Sequence, residues 1–131
     1  MKEIEFEEKN LFGVCPFITA QEFLSRKWTI PILRELIDGK KRFSELQKKF
    51  EITRSTLSQR LKILESEGLV HREVFPEVPP RVEYSLTEIG KSFQPVLDSI
   101  EIWGNNYIKY LKSRDEKILS KKILWRLPKM T

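Results

Sequence analysis

The stretch Thr53-Arg54-Ser55-Thr56-Leu57-Ser58-Gln59-Arg60-Leu61-Lys62-Ile63-Leu64-Glu65-Ser66-Glu67-Gly68 decides how the rest of the chain is read. Leu57, Leu61 and Leu64 recur at i, i+4 and i+7, the spacing that aligns one face of an α-helix. Thr53 is placed to cap its N-terminus, and Gly68 is the residue able to turn left-handed at its C-terminus. At about 100° per residue, the face opposite the leucines carries Ser55, Gln59 and Lys62, with Thr56 and Ser58 at its sides and Arg54 and Arg60 flanking. A helix with hydroxyls, an amide and cations on one face suits a DNA major groove about 12 Å wide, where it hydrogen-bonds base edges and neutralises phosphates.

On the N-terminal side, Ser44 stands three residues before Gln47, the capping-box spacing, and opens a short helix that stops near Phe50. Two short helices joined by a tight turn read as helix-turn-helix. Further upstream, Pro16 starts a helix reaching about Arg26, with Phe17, Ala20, Phe23 and Leu24 on one stripe. A second helix is expected to take Thr29 as N-cap and to carry Ile32, Leu33, Leu36 and Ile37 on its apolar face until Asp38-Gly39.

On the C-terminal side, Val70 to Phe75 and Val82 to Leu86 are β-prone runs around the loop Pro76-Glu77-Val78-Pro79-Pro80, a hairpin with a stiff tip. Arg81 at that tip either enters a minor groove or meets a phosphate, or pairs with Glu77 or Glu83. Arg72 is expected to pair with Glu83 across the strands. Thr87 caps a long helix whose Ile89, Phe93, Leu97, Ile100, Trp103, Tyr107 and Leu111 step by threes and fours to near Lys112, with a kink expected at Pro95. Ile118 to Leu127 reads as a last amphipathic helix.

The fold expected is therefore mainly α with a small β-hairpin (α+β), a winged helix-turn-helix. Residues 1–14 form an acidic segment, 15–112 the winged domain with a terminal helix over about 87–112, and 113–131 a basic amphipathic tail. The apolar stripe of the long helix exceeds what one small domain needs to cover. Phe17, Phe93, Leu97, Ile100, Trp103 and Tyr107 are accordingly expected at the interface of a homodimer formed through the N- and C-terminal helices. Such a twofold dimer places two reading helices about 34 Å apart, one turn of DNA.

A chain of 131 residues has room for one core, and its 40% hydrophobic and 33% charged residues describe a folded globular protein. The net charge of +5 is unevenly distributed. Residues 1–8 hold one Lys and four Glu, whereas Arg26 to Lys62 holds eleven basic against four acidic residues, a net +7. Lys109 to Thr131 adds eight basic against two acidic. The central segment, which also holds Arg42 and Ser44, favours double-stranded DNA as partner. For the tail, docking on the dimer, gripping flanking phosphates and touching a membrane surface all remain open readings.

Cys15 is the single cysteine and His71 the single histidine, so neither an intramolecular disulfide nor a zinc site is expected, and no cofactor. Without a Gly-rich phosphate loop or a nucleophile elbow, the chain is not expected to be an enzyme. Its start has neither a basic nor an apolar leader region, and no apolar run approaches a membrane span, so a cytoplasmic protein without membrane contact is expected.

Several of these residues fit one family pattern. Cys15-Pro16, Lys27-Trp28, Ile32-Leu33 to Leu36, Arg42-Phe43-Ser44-Glu45-Leu46, Leu57-Ser58-Gln59-Arg60-Leu61 with Leu64, and Glu67-Gly68-Leu69-Val70 belong to it. The most specific run is Pro79-Pro80-Arg81-Val82-Glu83-Tyr84-Ser85-Leu86-Thr87 with Gly90. Over about Cys15 to Gly104 the chain resembles the HxlR family of winged helix-turn-helix transcriptional regulators, relatives of the MarR group. The resemblance implies a homodimer on operator DNA, with the helix over about 53–67 reading the major groove, the hairpin over about 70–86 as wing, and the terminal helices as dimer interface.

Where the family commonly has a glycine pair before Lys-Trp, this chain has Ser25-Arg26, an extra charge in the link between the first helices. The resemblance also implies a candidate redox or electrophile sensor at Cys15, and a thiol beside a helix N-terminus does gain thiolate character. A small buried hydrophobe is the alternative for that residue. For the whole chain, the alternatives are a winged-helix protein-interaction module and a DNA binder without sequence preference.

Overall fold

In the computed structural model, which describes residues 15–114, the leucine stripe of the quoted stretch lies at the centre of the core. Nine elements follow in order: α1 Pro16–Leu24, α2 Thr29–Ile37, β1 Lys41–Arg42, α3 Phe43–Phe50, α4 Arg54–Ser66, β2 Val70–Phe75, β3 Arg81–Leu86, α5 Glu88–Lys91 and α6 Gln94–Arg114. The expectations for the acidic segment 1–14 and for a helix over 118–127 fall outside the described residues.

Leu57, Leu61 and Leu64 of α4 pack with Ile32, Leu33 and Leu36 of α2, Leu46 and Phe50 of α3, and Val70, Tyr84 and Leu86 of the sheet. Burying each such side chain contributes about 1.5–3 kcal/mol. Phe43, Trp28 and Ile52 close the edges of this cluster. The strands form an antiparallel sheet in the order β1-β3-β2, so the fold is a mainly helical winged helix-turn-helix with a small three-stranded sheet.

The third strand, β1, is absent from the sequence reading because two residues carry no periodicity. Lys41 lies opposite Tyr84 and Arg42 opposite Glu83. This pairing also changes how α3 starts. Arg42 keeps extended backbone and donates its N–H to Glu45 Oε1 at 2.9 Å, so the first turn is closed by the pair 42–45 rather than by Ser44 and Gln47.

Three further expectations are corrected. Thr29 lies inside α2 and is buried, and the residue before the helix is Trp28, in left-handed backbone at φ 71° with its ring 5.3 Å from that of Phe50. Packing of the indole outweighs the capping preference of the threonine. The long terminal helix is two helices: α5 stops at Lys91, and Pro95 occupies the first turn of α6. There a missing N–H costs nothing, so the proline begins a helix instead of bending one. In the hairpin, Arg72 lies opposite Tyr84 while Glu73 faces Glu83, so the cross-strand Arg72–Glu83 pair is not formed.

Thr53 caps α4, its Oγ1 accepting the Thr56 N–H at 3.2 Å. At the other end Gly68 takes φ 83°, and the Leu69 N–H reaches back to the Leu64 carbonyl at 3.0 Å. This corner is tied to the end of the wing by Thr87. Its N–H donates to the Leu69 carbonyl at 3.1 Å, its hydroxyl donates to the Gly68 carbonyl at 2.6 Å, and Oγ1 accepts from the Gly90 N–H at 3.1 Å. Gly90 is so close to the corner that a Cβ there would lie 2.2 Å from the Leu69 carbonyl oxygen. Gly90→Ala is therefore expected to destabilise the fold by about 1–3 kcal/mol through overpacking against backbone, read as a lower urea midpoint at unchanged m-value.

Candidate nucleic-acid interface

Because Leu57, Leu61 and Leu64 face inward, α4 presents Ser55, Ser58, Gln59 and Lys62 to solvent. A groove of about 1140 Å³ runs between this helix, the start of α3 and the hairpin. From α4 it takes Arg54, Ser55, Ser58 and Lys62; from the start of α3, Arg42 and Ser44; and from β3, Arg81. Seven of the ten residues singled out from sequence are thus brought to one concave surface. Its cations outnumber its carboxylates, with Arg42, Arg54, Lys62, Arg72 and Arg81 against Glu65 and Glu77.

The other three lie elsewhere. Gln59 is exposed but does not line the groove. Thr56 is half-buried, and its hydroxyl is 2.9 Å from that of the cap residue Thr53. Arg60 is half-buried with its Nε enclosed and without a hydrogen-bond partner among the described residues. Sequence reasoning missed Arg72 and the tip residues Val78, Pro79 and Pro80, which also line the groove. Strand alternation carries the signal for Arg72, which shares a face with its neighbour Tyr84 once the hairpin register is known.

Two arginines are held by local contacts. The Arg54 guanidinium lies 5.2 Å from the centre of the Phe43 ring, so the entry to α4 is braced against α3. Of the two readings open for Arg81, the ion pairs are present: Nη2 is 3.0 Å from Glu77 and Nε 3.5 Å from Glu83. Its guanidinium also stacks 4.0 Å above Phe75. A third, Arg26, is bonded to Glu67, joining the link between α1 and α2 to the end of α4. The hydrogen bond and charge of Glu67 hold Arg26 above its ordinary pKa. The chain's departure from the glycine pair is thus used in a contact.

The six residues expected at a dimer interface divide into two groups. Leu97 is only 5% exposed and Phe93 packs edge-on against Phe23 at 5.5 Å, so both belong to the protomer's own core, with Ile100 half-buried beside them. Phe17 and Trp103 are 76% and 65% exposed, and Tyr107 is exposed with them. Trp103 stacks on Tyr107 at 4.9 Å, and Tyr107 on Tyr110 at 5.9 Å, an aromatic strip along the outer face of α6. Cys15 is half-buried, and its carbonyl accepts the Thr19 N–H at 2.9 Å in the first turn of α1.

The sequence profile of the HxlR-like helix-turn-helix family matches residues 23–112, most of the described fold. The chain belongs to that family. This HxlR-like protein is 44% identical over 116 residues to the HTH-type transcriptional regulator YdeP of Bacillus subtilis, covering 88% of this chain and 87% of that one. Among solved structures it is similar to the redox regulator HypR in its reduced form, at 39% identity and TM-score 0.71, over 76% of this chain and 99% of that one. It is similar also to a transcriptional regulator of the MarR family from Enterococcus faecalis V583, at 36% identity and TM-score 0.65, over 81% and 99% of the two chains. The relatives are transcriptional regulators rather than enzymes. No described helix of the HxlR-like chain is long and apolar enough to cross a membrane.

Proposed function

We propose that this chain works as a homodimer on a pseudo-palindromic DNA operator, with α4 in the major groove of each half-site and the β2–β3 hairpin on the adjacent minor groove or backbone. The observation that carries the reading is the groove itself. Hydroxyls and cations from α4 and from the residues at the entry to α3 converge beside an exposed polar helix face, the combination that base readout and phosphate neutralisation both need. In this arrangement Lys62, Arg54 and Arg42 meet phosphates, while Ser55 and Ser58 reach base edges, with Gln59 on the neighbouring flank of the same helix. A gel-shift titration against the DNA upstream of the chain's own coding region, at two salt concentrations, tests it. A discrete complex that survives competitor DNA supports the reading, and a smear abolished by modest salt supports non-specific binding or a protein-interaction module. Lys62→Ala is expected to weaken binding to all sequences and to lower the salt slope by about one. Gln59→Ala is expected to relax preference at one base pair by about 1–3 kcal/mol with the slope unchanged.

Dimerisation is supported by the aromatic strip Trp103, Tyr107 and Tyr110 together with Phe17, apolar area that the described fold leaves uncovered. Trp103→Glu is expected to shift micromolar protein from dimer to monomer in sedimentation while leaving the far-ultraviolet dichroism of the fold intact, because the side chain is outside the core.

A redox response through Cys15 is a further part of the proposal. It is supported by the thiol's place at the start of α1 and by the similarity to the redox regulator HypR. A thiol oxidant is expected to weaken DNA binding by the wild-type chain and to leave Cys15→Ser unaffected; an unchanged oxidant response in the variant removes the cysteine from the mechanism.

A further inference from the structure

The wing is unlike the rest of the groove in charge. Residues 70–86 hold Arg72 and Arg81 against Glu73, Glu77 and Glu83, a net −1 within a chain of net +5. Of the two arginines, Arg81 is turned back into the hairpin, between Glu77 and Glu83 and over the Phe75 ring. The tip beyond it is Val78-Pro79-Pro80. It carries no charged side chain, and of its three residues only Val78 keeps a backbone N–H. The tip thus has no cation to set against a phosphate. What it offers is an apolar edge: Val78 is 102% exposed, as far from protein contact as a side chain can be, and it stands on the groove side together with Ser55, Ser58 and Lys62.

We infer that the wing tip reads DNA as an apolar wedge, with Val78 and its two prolines pressed to the floor of the minor groove, and that Arg81 shapes the tip instead of contacting the nucleic acid. The inference rests on the proposed DNA-binding role of α4 and specifies the chemistry of its second contact. When α4 occupies the major groove, a tip on the same side of the protomer meets the minor groove next to it. Apolar side chains and prolines are suited to that position because they press against sugar edges and base steps without needing a partner for a buried charge. Such a tip selects by shape. The guanine N2 amino group protrudes from the minor-groove floor, so A·T pairs admit the wedge and G·C pairs obstruct it.

The experiment uses a duplex enriched from a random-sequence pool by the wild-type chain, and the same duplex with guanine replaced by inosine at the flanking positions. That replacement removes the minor-groove amino group and leaves the major-groove edge of the base intact. Wild type is expected to bind the inosine duplex several-fold more tightly. Val78→Ser, at a site without protein contacts, is expected to keep the wild-type melting temperature, to lose about tenfold in affinity, and to lose the response to inosine. Arg81→Gln is expected to leave the salt slope unchanged, because its guanidinium is not on a phosphate. An inosine response in Val78→Ser equal to that of wild type overturns the wedge, as does a salt slope lowered by about one in Arg81→Gln. If the wild-type chain enriches no sequence at all, the reading of α4 fails first and the wedge with it.

Discussion

Burial of Leu57, Leu61 and Leu64 is the constraint from which the interface follows. An α-helix with one face committed to the core has its opposite face assigned by geometry alone, since the two are fixed half a turn apart. Once the leucines meet Ile32, Leu33, Leu46 and the sheet residues Val70, Tyr84 and Leu86, the outward direction of Ser55, Ser58 and Lys62 needs no further interaction to maintain it. The polar face is thereby presented by a helix that is rigid on its other side. Little backbone ordering is left to be lost when a partner binds.

The sheet extends this logic beyond the helix. The Gly68 corner feeds β2 directly from α4, and Thr87 returns the chain to the same corner after β3. Both ends of the wing are therefore fastened at one point, and Gly90 fits there because it brings no side chain. The two-residue β1 fastens the other side, where Arg42 is at once a strand residue opposite Glu83 and the residue preceding α3. Helix-turn-helix and wing are thus held together at two places, the Gly68 corner and the β1–β3 pairing.

Much of this was legible in the sequence, and the reasons for the exceptions are physical. The i, i+4, i+7 leucines, the cap at Thr53, the left-handed Gly68 and the β-prone runs on either side of the prolines are local signals, and the structure realises each of them. The exceptions are decided by contacts distant in the chain. Trp28 takes a left-handed backbone because its ring finds Phe50; Arg42 starts α3 because β3 holds it extended; Arg72 faces Tyr84 because hairpin register depends on where the turn is made. Of the residues read as one interface stripe on the last helix, Phe93 and Leu97 turn inward because they find partners in the protomer's own core, Phe93 against Phe23. The seven groove residues were found individually from sequence, but their convergence on one surface depends on tertiary structure.

The break between α5 and α6 gives the last helix the properties of a lever. With 21 residues at about 1.5 Å each it is about 31 Å long, and Leu97, close to its start, is its one buried residue, with Ile100, Ile108 and Leu111 half-buried further along. A swing of about 10° at the Ser92–Phe93 joint displaces its far end by about 5 Å, more than the 3.4 Å rise of a base pair. In the proposed dimer, assembled along α6, the joint angle is converted into the spacing between the two α4 helices. A swing of about 10° near Phe93 is therefore enough to take the two α4 helices of the proposed dimer out of step with the turn of the DNA.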